Sequence, residues 1–423
     1  METPVYYIPI GDYWHAPADT VEIVYAPFSG RYILRTAGTA LPQTVMDKLQ
    51  EPLREPATAA TDVDELTQVD ILLNYSCNFH CVYCYSAQGR NNTEVPWDTL
   101  QTFIDRVFAR PVKDNTPKVQ FSFSGGGEPL MSYPLLQQAI EYIERKSKEC
   151  PQLAYSMAVV TNGSLLTKEK IEYLDGHKVR IVVSYEILKS YQDKERGCYN
   201  AVTDNIRLLS AMQADFGIRC NITKEAVEAM PDMVREIAEN FPSIKSVTFD
   251  TILAPDLFRT PTELEKYYNA FLEMYYTAKD WAAAKGIDVA CMSVELKDVL
   301  RSRGCEAKFC LTPRGTLSAC SRVSSPDEAL YPYFQYGNVA HIDERKIIQL
   351  MSQNTAYAAR CKDCFARWNC GGGCTLFFES FPEEFHSTYC AFRRNALRKE
   401  LYYDMCRRIP GLYRQIAATI RHE

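Results

Sequence analysis

Apolar runs of strand length alternate with longer helical patterns between residues 67 and 290. The helical stretches include TLQTFIDRVFAR and LLQQAIEYIERKSKE, where apolar residues recur along one helix face. This alternation predicts an α/β fold with a parallel sheet wrapped by helices, as an open or partial barrel of six β/α units. Ligands of such sheets bind at the carboxyl ends of the strands. The strand-like runs are VDILLNY, KVQFSFSG, AYSMAVVTN, KVRIVVSY, FGIRCNIT and SVTFDTIL.

Further parts flank this predicted core. Residues 1–66 contain a predicted antiparallel hairpin, TVEIVYAP followed by GRYILRTA, then a short helical piece and a polar linker. Residues 291–400 hold most of the remaining cysteines, and residues 401–423 are predicted to form a helical tail. We therefore expect four parts, with the α/β core at 67–290.

Composition narrows the class of protein. The chain has 423 residues, of which 46% are hydrophobic, which is enough for a large core. No apolar run is long enough to span a membrane, and the N-terminal stretch METPVYYIPIGDYWHAP lacks the basic-then-apolar order of a signal peptide. We therefore expect a cytoplasmic protein without a membrane partner. The net charge of -6 gives no general attraction to nucleic acid, although the last helices are locally basic.

Three thiols follow the first predicted strand of the core, Cys77, Cys81 and Cys84. Sixteen cysteines is a high number for a reducing compartment, where clustered thiols bind metal or do redox chemistry. A structural zinc ion would need a fourth ligand, and the local candidate, His80, is directly adjacent to Cys81. Three thiolates on a four-iron cluster instead leave one iron open for a small ligand.

The stretch CNFHCVYC resembles the C-x3-C-x-aromatic-C signature of radical S-adenosylmethionine (SAM) enzymes, with Tyr83 at the aromatic position. In that family the open iron is chelated by the amino and carboxylate groups of SAM. The resemblance implies a [4Fe-4S] cluster on Cys77, Cys81 and Cys84, and SAM bound beside Tyr83.

Other motifs of that family follow in order on successive strands. SGGGEP resembles the GGE motif, which implies that Gly126, Gly127 and Glu128 receive the SAM ammonium group. VVTNG after the third strand resembles a recurrent strand end in the family. VVSYE resembles the S-x-D-G segment, which implies Ser184 on the ribose and the trailing Arg196 on the SAM carboxylate. Here Glu186 replaces the usual Asp and Ile187 the usual Gly, so we carry over no role for Glu186.

A second group of cysteines follows the core. The pattern CKDCFARWNCGGGC is preceded by CEAKFCLTPRGTLSAC and followed by STYCAF. The arrangement resembles the SPASM domain, a C-terminal extension with two auxiliary [4Fe-4S] clusters, so we expect three clusters in total. The resemblance assigns Cys305, Cys310, Cys320 and Cys374 to the first auxiliary cluster, and Cys361, Cys364, Cys370 and Cys390 to the second. Zinc is the alternative for the C-x2-C portion.

Five cysteines are left over. For most of them the better expectation is burial as a small hydrophobic residue, although Cys198 lies near the SAM segment. No histidine pair has metal-ligand spacing. The remaining cysteines are Cys150, Cys198, Cys220, Cys291 and Cys406.

The resemblance implies reductive cleavage of SAM to a 5'-deoxyadenosyl radical, which abstracts hydrogen from a C–H bond, with the auxiliary clusters accepting a further electron. Members of the SPASM group mostly act on peptides or proteins. We expect a maturase that forms a C–S or C–C cross-link in a ribosomally made precursor peptide, with a donor such as flavodoxin or ferredoxin. The catalytic acid or base stays unassigned.

The alternative is a sulfatase maturase that oxidises Cys or Ser to formylglycine. Those enzymes usually begin the radical SAM motif close to the start of the chain, whereas here it begins at Cys77, so we favour the first hypothesis. The hairpin in residues 1–66 is suited to contacting a leader peptide by strand addition. The SGGGEP segment disfavours an electron-transfer protein without radical chemistry. The acidic net charge of the chain disfavours RNA modification.

Overall fold

A ten-stranded sheet forms the centre of the protein in a computed structural model that describes residues 3–10, 21–56, 62–111, 118–304, 307–409 and 411. The strand order is β10-β9-β8-β7-β6-β5-β4-β11-β12-β13. Seven consecutive strands, from β4 to β10, pair in parallel. The six predicted strand runs became β4 to β9, so the predicted α/β fold class is confirmed. The strands are β4 (Gln68–Ile71), β5 (Val119–Phe123), β6 (Tyr155–Thr161), β7 (Val179–Ser184), β8 (Phe216–Ile222), β9 (Ser246–Thr251), β10 (Asp288–Ala290), β11 (Phe309–Leu311), β12 (Thr316–Ser318) and β13 (Gln335–Asn338).

Alternation within the strands separates an outer from an inner face of the sheet. In β7, Val179, Ile181 and Val183 are buried, whereas Val182 and Ser184, which alternate with them along the strand, are partly exposed. Because successive side chains of a strand point to opposite faces, the buried set belongs to one face of the sheet and the partly exposed set to the other. Ser184 lines a cavity, so the partly exposed face is the one that encloses space for a ligand.

Helices follow the strands and cover the buried face. The helix at Trp97–Phe108 begins after Pro96 and buries an apolar stripe that includes Phe103. The ring of Phe103 lies 4.6 Å from that of Phe309 on β11, so this helix ties the core to the C-terminal strands. Full burial of such a side chain contributes about 2 kcal/mol. The helices of the core are α2 (Trp97–Phe108), α3 (Tyr133–Glu149), α4 (Lys168–Gly176), α5 (Lys189–Glu195), α6 (Tyr199–Ala211), α7 (Met230–Asn240) and α8 (Pro261–Ala283).

The N-terminal part is a three-stranded antiparallel sheet. The predicted hairpin is present as β2 (Val21–Ala26) and β3 (Arg31–Thr36), and β1 (Tyr6–Pro9) adds a strand that was not predicted. Helix α1 (Gln43–Gln50) follows. The sheet packs on the C-terminal part, because Tyr25 donates to Asn369 Oδ1 at 3.0 Å and Phe28 lies 5.2 Å from Trp368.

The C-terminal part extends the central sheet. Strand β11 pairs in parallel with β4, and β12 and β13 follow in antiparallel order. The longest helix of this part, α13 (His386–Arg408), stacks Phe392 on Tyr268 of α8 at 4.0 Å. The predicted boundary at residue 400 falls inside α13, which continues to Arg408. The shorter helices are α9 (Tyr331–Phe334), α10 (Glu344–Ser352), α11 (Arg367–Cys370) and α12 (Thr375–Ser380). Within the described ranges, no helix combines the length and apolar character needed to cross a membrane.

Candidate active site

One cavity of about 450 Å³ opens at the carboxyl ends of the parallel strands. Its wall is built from the loop after β4, the glycine turn after β5, the ends of β6 to β9, and residues of the C-terminal part. This is where ligands of parallel α/β sheets bind. Of the residues that the sequence assigned to the first cluster and to SAM, all line this cavity: Cys77, Cys81, Tyr83, Cys84, Gly126, Gly127, Glu128, Ser184 and Arg196.

The loop after β4 presents Cys77, Cys81 and Cys84 as free, half-buried thiols. Backbone hydrogen bonds fold it into tight turns, with the Cys84 amide donating to the Cys81 carbonyl at 3.1 Å. Burial raises the pKa of Cys77 and Cys81, although nearby arginines oppose this shift. His80, which zinc would need as a fourth ligand, is exposed and does not line the cavity.

Arg90 is a further member of this site that sequence reasoning missed. Its Nη2 donates to Cys84 Sγ at 3.1 Å, and its Nη1 donates to the Phe79 carbonyl. Burial alone would lower the pKa of Arg90, but Cys84, Cys77 and Cys81 together raise it, so the guanidinium faces all three thiols. A lone arginine six residues after the last cysteine carries no sequence pattern that would have identified it.

The glycine turn after β5 is packed against the start of the cysteine loop. A Cβ atom on Gly127 would lie 1.9 Å from the Ser76 carbonyl oxygen, and one on Gly126 would lie 2.6 Å from the Asn74 carbonyl oxygen. Gly126 also has a φ of +68°. Glycine is therefore required for backbone packing between two loops, in addition to the close ligand approach inferred from the sequence.

Glu128 is buried, and its carboxylate is already bound within the protein. Oε1 accepts from the Thr161 hydroxyl at 2.6 Å and from the Leu130 amide at 3.1 Å, and Oε2 accepts from the Asn162 amide at 2.7 Å. Burial raises the pKa of Glu128, and these three donors oppose the rise. The carboxylate thus fastens the glycine turn to the end of β6 while Glu128 also lines the cavity.

Glu186 occupies the centre of a buried network beside the cysteine loop. Its Oε1 accepts from the Tyr83 hydroxyl and lies 3.7 Å from Arg196 Nη1, and its Oε2 accepts from Cys220 Sγ at 2.9 Å. Arg196 also donates to the Tyr83 hydroxyl at 3.0 Å. The charge of Arg196 is therefore compensated by Glu186, while its buried Nε has no partner among the described residues. Cys220 is a hydrogen-bond donor here, which the expectation of simple hydrophobic burial missed.

Ile187 has a φ of +64° and is fully buried. The Leu188 amide donates to the Glu186 carbonyl at 2.6 Å, so Ile187 is the central residue of a three-residue turn. Positive φ in such a turn is the strained classic γ form, which a β-branched residue rarely adopts. Ile187 thus has a positive φ at the position where the resembled family motif has glycine.

Two members of the first predicted auxiliary set line the same cavity. Cys310 is buried on β11, and Cys320 and Cys374 both line the cavity. Burial raises the pKa of Cys310 and of Cys320; Cys320 adds to the rise at Cys310 and Cys374 adds to the rise at Cys320, so these thiols lie near one another. Cys305, the fourth member, lies outside the described residues.

The second predicted auxiliary set is also brought together. Cys364, Cys370 and Cys390 all act on the pKa of Cys361, which burial raises to about 11. A cluster binds thiolates, so its binding would release the thiol protons of this set. Arginines surround this set: Arg394 bonds to Cys364, Arg393 bonds to Cys370, and Arg360 faces Cys361 and Cys390.

The donor chemistry fits iron-sulfur clusters better than single metal ions. Among the described residues, no group of three or more Cys, His, Asp or Glu side chains is arranged to hold one metal ion. The thiols of each set are free and near one another without this single-ion geometry. A cluster is larger than one ion and takes thiolates as its protein ligands.

Two ion pairs in the cavity wall were not predicted. Arg219 on β8 pairs with Asp250 on β9, and Lys308 pairs with the buried Asp70 of β4 at 2.5 Å. The available signal was a charged residue within an apolar strand run, as in FGIRCNIT and SVTFDTIL. Cys198, by contrast, is exposed and is absent from the cavity wall.

Residues 71–249 match the model of the radical SAM superfamily. This part of the chain is similar to the radical SAM superfamily, and the similarity implies SAM and one [4Fe-4S] cluster. Three curated relatives are similar to the chain. An uncharacterized protein of Methanocaldococcus jannaschii is 26% identical over 45% of this chain and 64% of its own length. The radical SAM cyclopropyl synthase TigE of Paramaledivibacter caminithermalis is 18% identical over 74% of this chain and 68% of its own length.

The third relative is the antilisterial bacteriocin subtilosin biosynthesis protein AlbA of Bacillus subtilis, which is 22% identical over 64% of this chain and 56% of its own length. The chain thus spans between about half and about two thirds of the curated relatives it matches. Two solved structures share the fold. The protein anSMEcpe with bound AdoMet and Kp18Cys peptide has a TM-score of 0.62 at 17% identity, covering 80% of this chain and 99% of that one. Streptococcus suis SuiB bound to precursor peptide SuiA has a TM-score of 0.56 at 15% identity, covering 78% and 76%.

Proposed function

We propose that this protein is a peptide-modifying radical SAM enzyme that closes an intramolecular C–S or C–C cross-link in a ribosomally made precursor peptide. The observation that carries the proposal is the shared cavity, which is lined both by Cys77, Cys81 and Cys84 and by Cys320 and Cys374. A substrate held there lies beside both groups of thiols. SuiB is bound to precursor peptide SuiA, anSMEcpe is bound to the Kp18Cys peptide, and AlbA is named for biosynthesis of the bacteriocin subtilosin, which supports a peptide substrate.

The residues of the cysteine loop and strand ends would bind the cofactors. Cys77, Cys81 and Cys84 would hold the first [4Fe-4S] cluster. SAM would be bound by the cavity residues that the sequence assigned to it, which are Tyr83, Gly126, Gly127, Glu128, Ser184 and Arg196. When bound and reduced by a low-potential donor such as flavodoxin or ferredoxin, these cofactors supply a 5'-deoxyadenosyl radical that abstracts hydrogen.

Side chains of the protein would then fix the position of the cofactors relative to one another. Glu186 fixes the Tyr83 hydroxyl and Arg196, so the loop that carries Cys81 and Cys84 is tied to the end of β7. The unpartnered Nε of Arg196, buried in the cavity wall, is a donor suited to an anionic group such as the SAM carboxylate.

The C-terminal thiols would supply electron acceptors. Closing a C–S or C–C bond after hydrogen abstraction releases one proton and one electron from the substrate, so an acceptor is needed at close range. The set of Cys310, Cys320 and Cys374, together with Cys305, would hold one auxiliary cluster. The set of Cys361, Cys364, Cys370 and Cys390 would hold the other.

The N-terminal sheet would contact the leader of the precursor. Among the described strands, β3 pairs only with β2, so its other edge can accept an added strand. Main-chain pairing of this kind binds extended peptides with little demand on their sequence. The sheet contacts the C-terminal part through Tyr25 and Phe28, which would keep a bound leader near the catalytic core.

The test is anaerobic co-expression with a short precursor peptide encoded beside the gene, followed by fragmentation mass spectrometry. We expect loss of two hydrogens for each cross-link, localised to a ring, and no product when the leader is deleted. Purified enzyme should form 5'-deoxyadenosine from SAM on reduction. SAM cleavage without any modified peptide, together with oxidation of a sulfatase Cys or Ser, would replace the proposal with formylglycine formation. Absence of 5'-deoxyadenosine would refute both.

A further inference from the structure

Arg90 and Arg196 both approach the cysteine loop, but their charges are balanced differently. Arg196 is paired with Glu186 at 3.7 Å, and the side chains are 8% and 1% exposed. Arg90 forms no ion pair with any described carboxylate, and its polar contacts are Cys84 Sγ and the Phe79 carbonyl. Arg90 is therefore the uncompensated positive charge at the three thiols.

The contacts of Arg90 fix that charge in place. One guanidinium nitrogen donates to Cys84 Sγ at 3.1 Å, and another donates to the Phe79 carbonyl within the same loop. Arg90 lines the cavity together with Cys77, Cys81 and Cys84. A guanidinium held at two points by the loop cannot turn away from the thiols without breaking both hydrogen bonds. The Nε atom of Arg90 is buried and has no hydrogen-bond partner among the described residues, so no further acceptor there competes with Cys84 and Phe79 for the guanidinium.

We propose that Arg90 is a positioning residue that raises the reduction potential of the cluster bound by Cys77, Cys81 and Cys84. This inference rests on the proposed function, since it requires that cluster. Reduction adds one negative charge to the cluster, and a fixed cation beside a ligand sulfur stabilises the reduced state more than the oxidised state. Hydrogen bonds to ligand sulfurs and nearby charge are established ways in which proteins set cluster potentials.

The experiment compares Arg90→Gln, Arg90→Lys and wild-type holoenzyme by redox titration followed with electron paramagnetic resonance. The signal that changes on adding SAM identifies the cluster with the open iron. We expect a lower midpoint potential for Arg90→Gln, and a smaller shift in the same direction for Arg90→Lys, which keeps the charge but loses the two-point contact. Arg145→Gln, on the exposed surface of α3, removes the same charge at a residue that does not line the cavity and should leave the potential unchanged.

A second measurement separates tuning from loop support. SAM cleavage by Arg90→Gln should fall when dithionite is the reductant and recover with the stronger reductant titanium(III) citrate. An Arg90→Gln variant with full iron content and an unchanged midpoint would overturn the inference. So would loss of the cluster from both variants, which would make Arg90 a structural residue. A wild-type protein with no SAM-responsive cluster would instead refute the proposed function.

Discussion

Ile187 offers a test of backbone strain, because at this position we expect glycine to be a more stable replacement than alanine, which is the reverse of the usual order. The residue is fully buried with a φ of +64°, at the turn that carries Glu186 beside the cysteine loop. Replacing it with Ala or with Gly removes the same buried side chain, apart from one methyl group. The two variants therefore differ mainly in how each residue tolerates positive φ.

The magnitudes decide the order of stability. Removing a buried Ile side chain costs about 2–5 kcal/mol, and relief of the strained conformation returns about 1–3 kcal/mol in the Gly variant only, because Ala keeps a Cβ atom at positive φ. Both variants should therefore be less stable than wild type. Ala at positive φ costs about 1–2 kcal/mol, whereas Gly costs about 0.5–1 kcal/mol in chain entropy. We expect Ile187→Gly to be more stable than Ile187→Ala by about 1 kcal/mol.

Ile181 in β7 is the matched control, since it is equally buried and lies in regular strand. There Ile181→Ala should be more stable than Ile181→Gly by about 1 kcal/mol, because strand interiors disfavour glycine. The free energy of unfolding is measured in urea by pulse proteolysis of the anaerobic holoprotein. If Ala is the better replacement at both positions by the same amount, the strain at Ile187 does not exist.

Two further predictions concern the C-terminal part. Burial raises the pKa of Glu400 to about 7, although the Leu296 and Lys297 amides donate to its carboxylate. Near that pH the folded protein binds more protons than the unfolded chain, so ionisation of Glu400 lowers the free energy of unfolding as pH rises. The stability of Glu400→Gln relative to wild type should therefore increase by about 2 kcal/mol between about pH 5 and about pH 8. A difference in urea unfolding that stays constant over this range would contradict the prediction. Replacing both Cys364 and Cys370 with Ala should remove about four iron atoms per chain, as measured by metal analysis. The same replacement at Cys150 and Cys406, which are assigned to no cluster, should remove none. Equal losses of iron from the two double variants would refute the ligand assignment.

The sheet was predictable because its signal is spread over many residues. Each run from VDILLNY to SVTFDTIL carries the apolar pattern of a strand, and the intervening helices carry their own period. Strand β1 was missed since its four residues, YYIP, are too short for a pattern and end in proline. The three extra strands of the C-terminal part were also missed, because β11 and β12 are three residues long.

The candidate site was predictable where spacing along the chain encodes it. The cysteine loop and the glycine turn are local motifs, and the structure brings both to one cavity. Arg90, the Glu186–Cys220 contact and the Arg219–Asp250 pair depend on which side chains meet across strands and loops. Such contacts follow from register and loop conformation, which hydrophobic periodicity does not specify.

The pairing of β11 with β4 changes how the C-terminal cysteines relate to the radical SAM core. Cys310 lies on β11, directly opposite Asp70 of β4, and the cysteine loop begins six residues after that strand ends. Asp70 also pairs with the partly exposed Lys308, which directly precedes β11, so an ion pair supports the contact between the two strands as well as the ladder. The C-terminal thiols are therefore held to the core by the continuous sheet, and a rigid-body movement of the C-terminal part would have to break that sheet first.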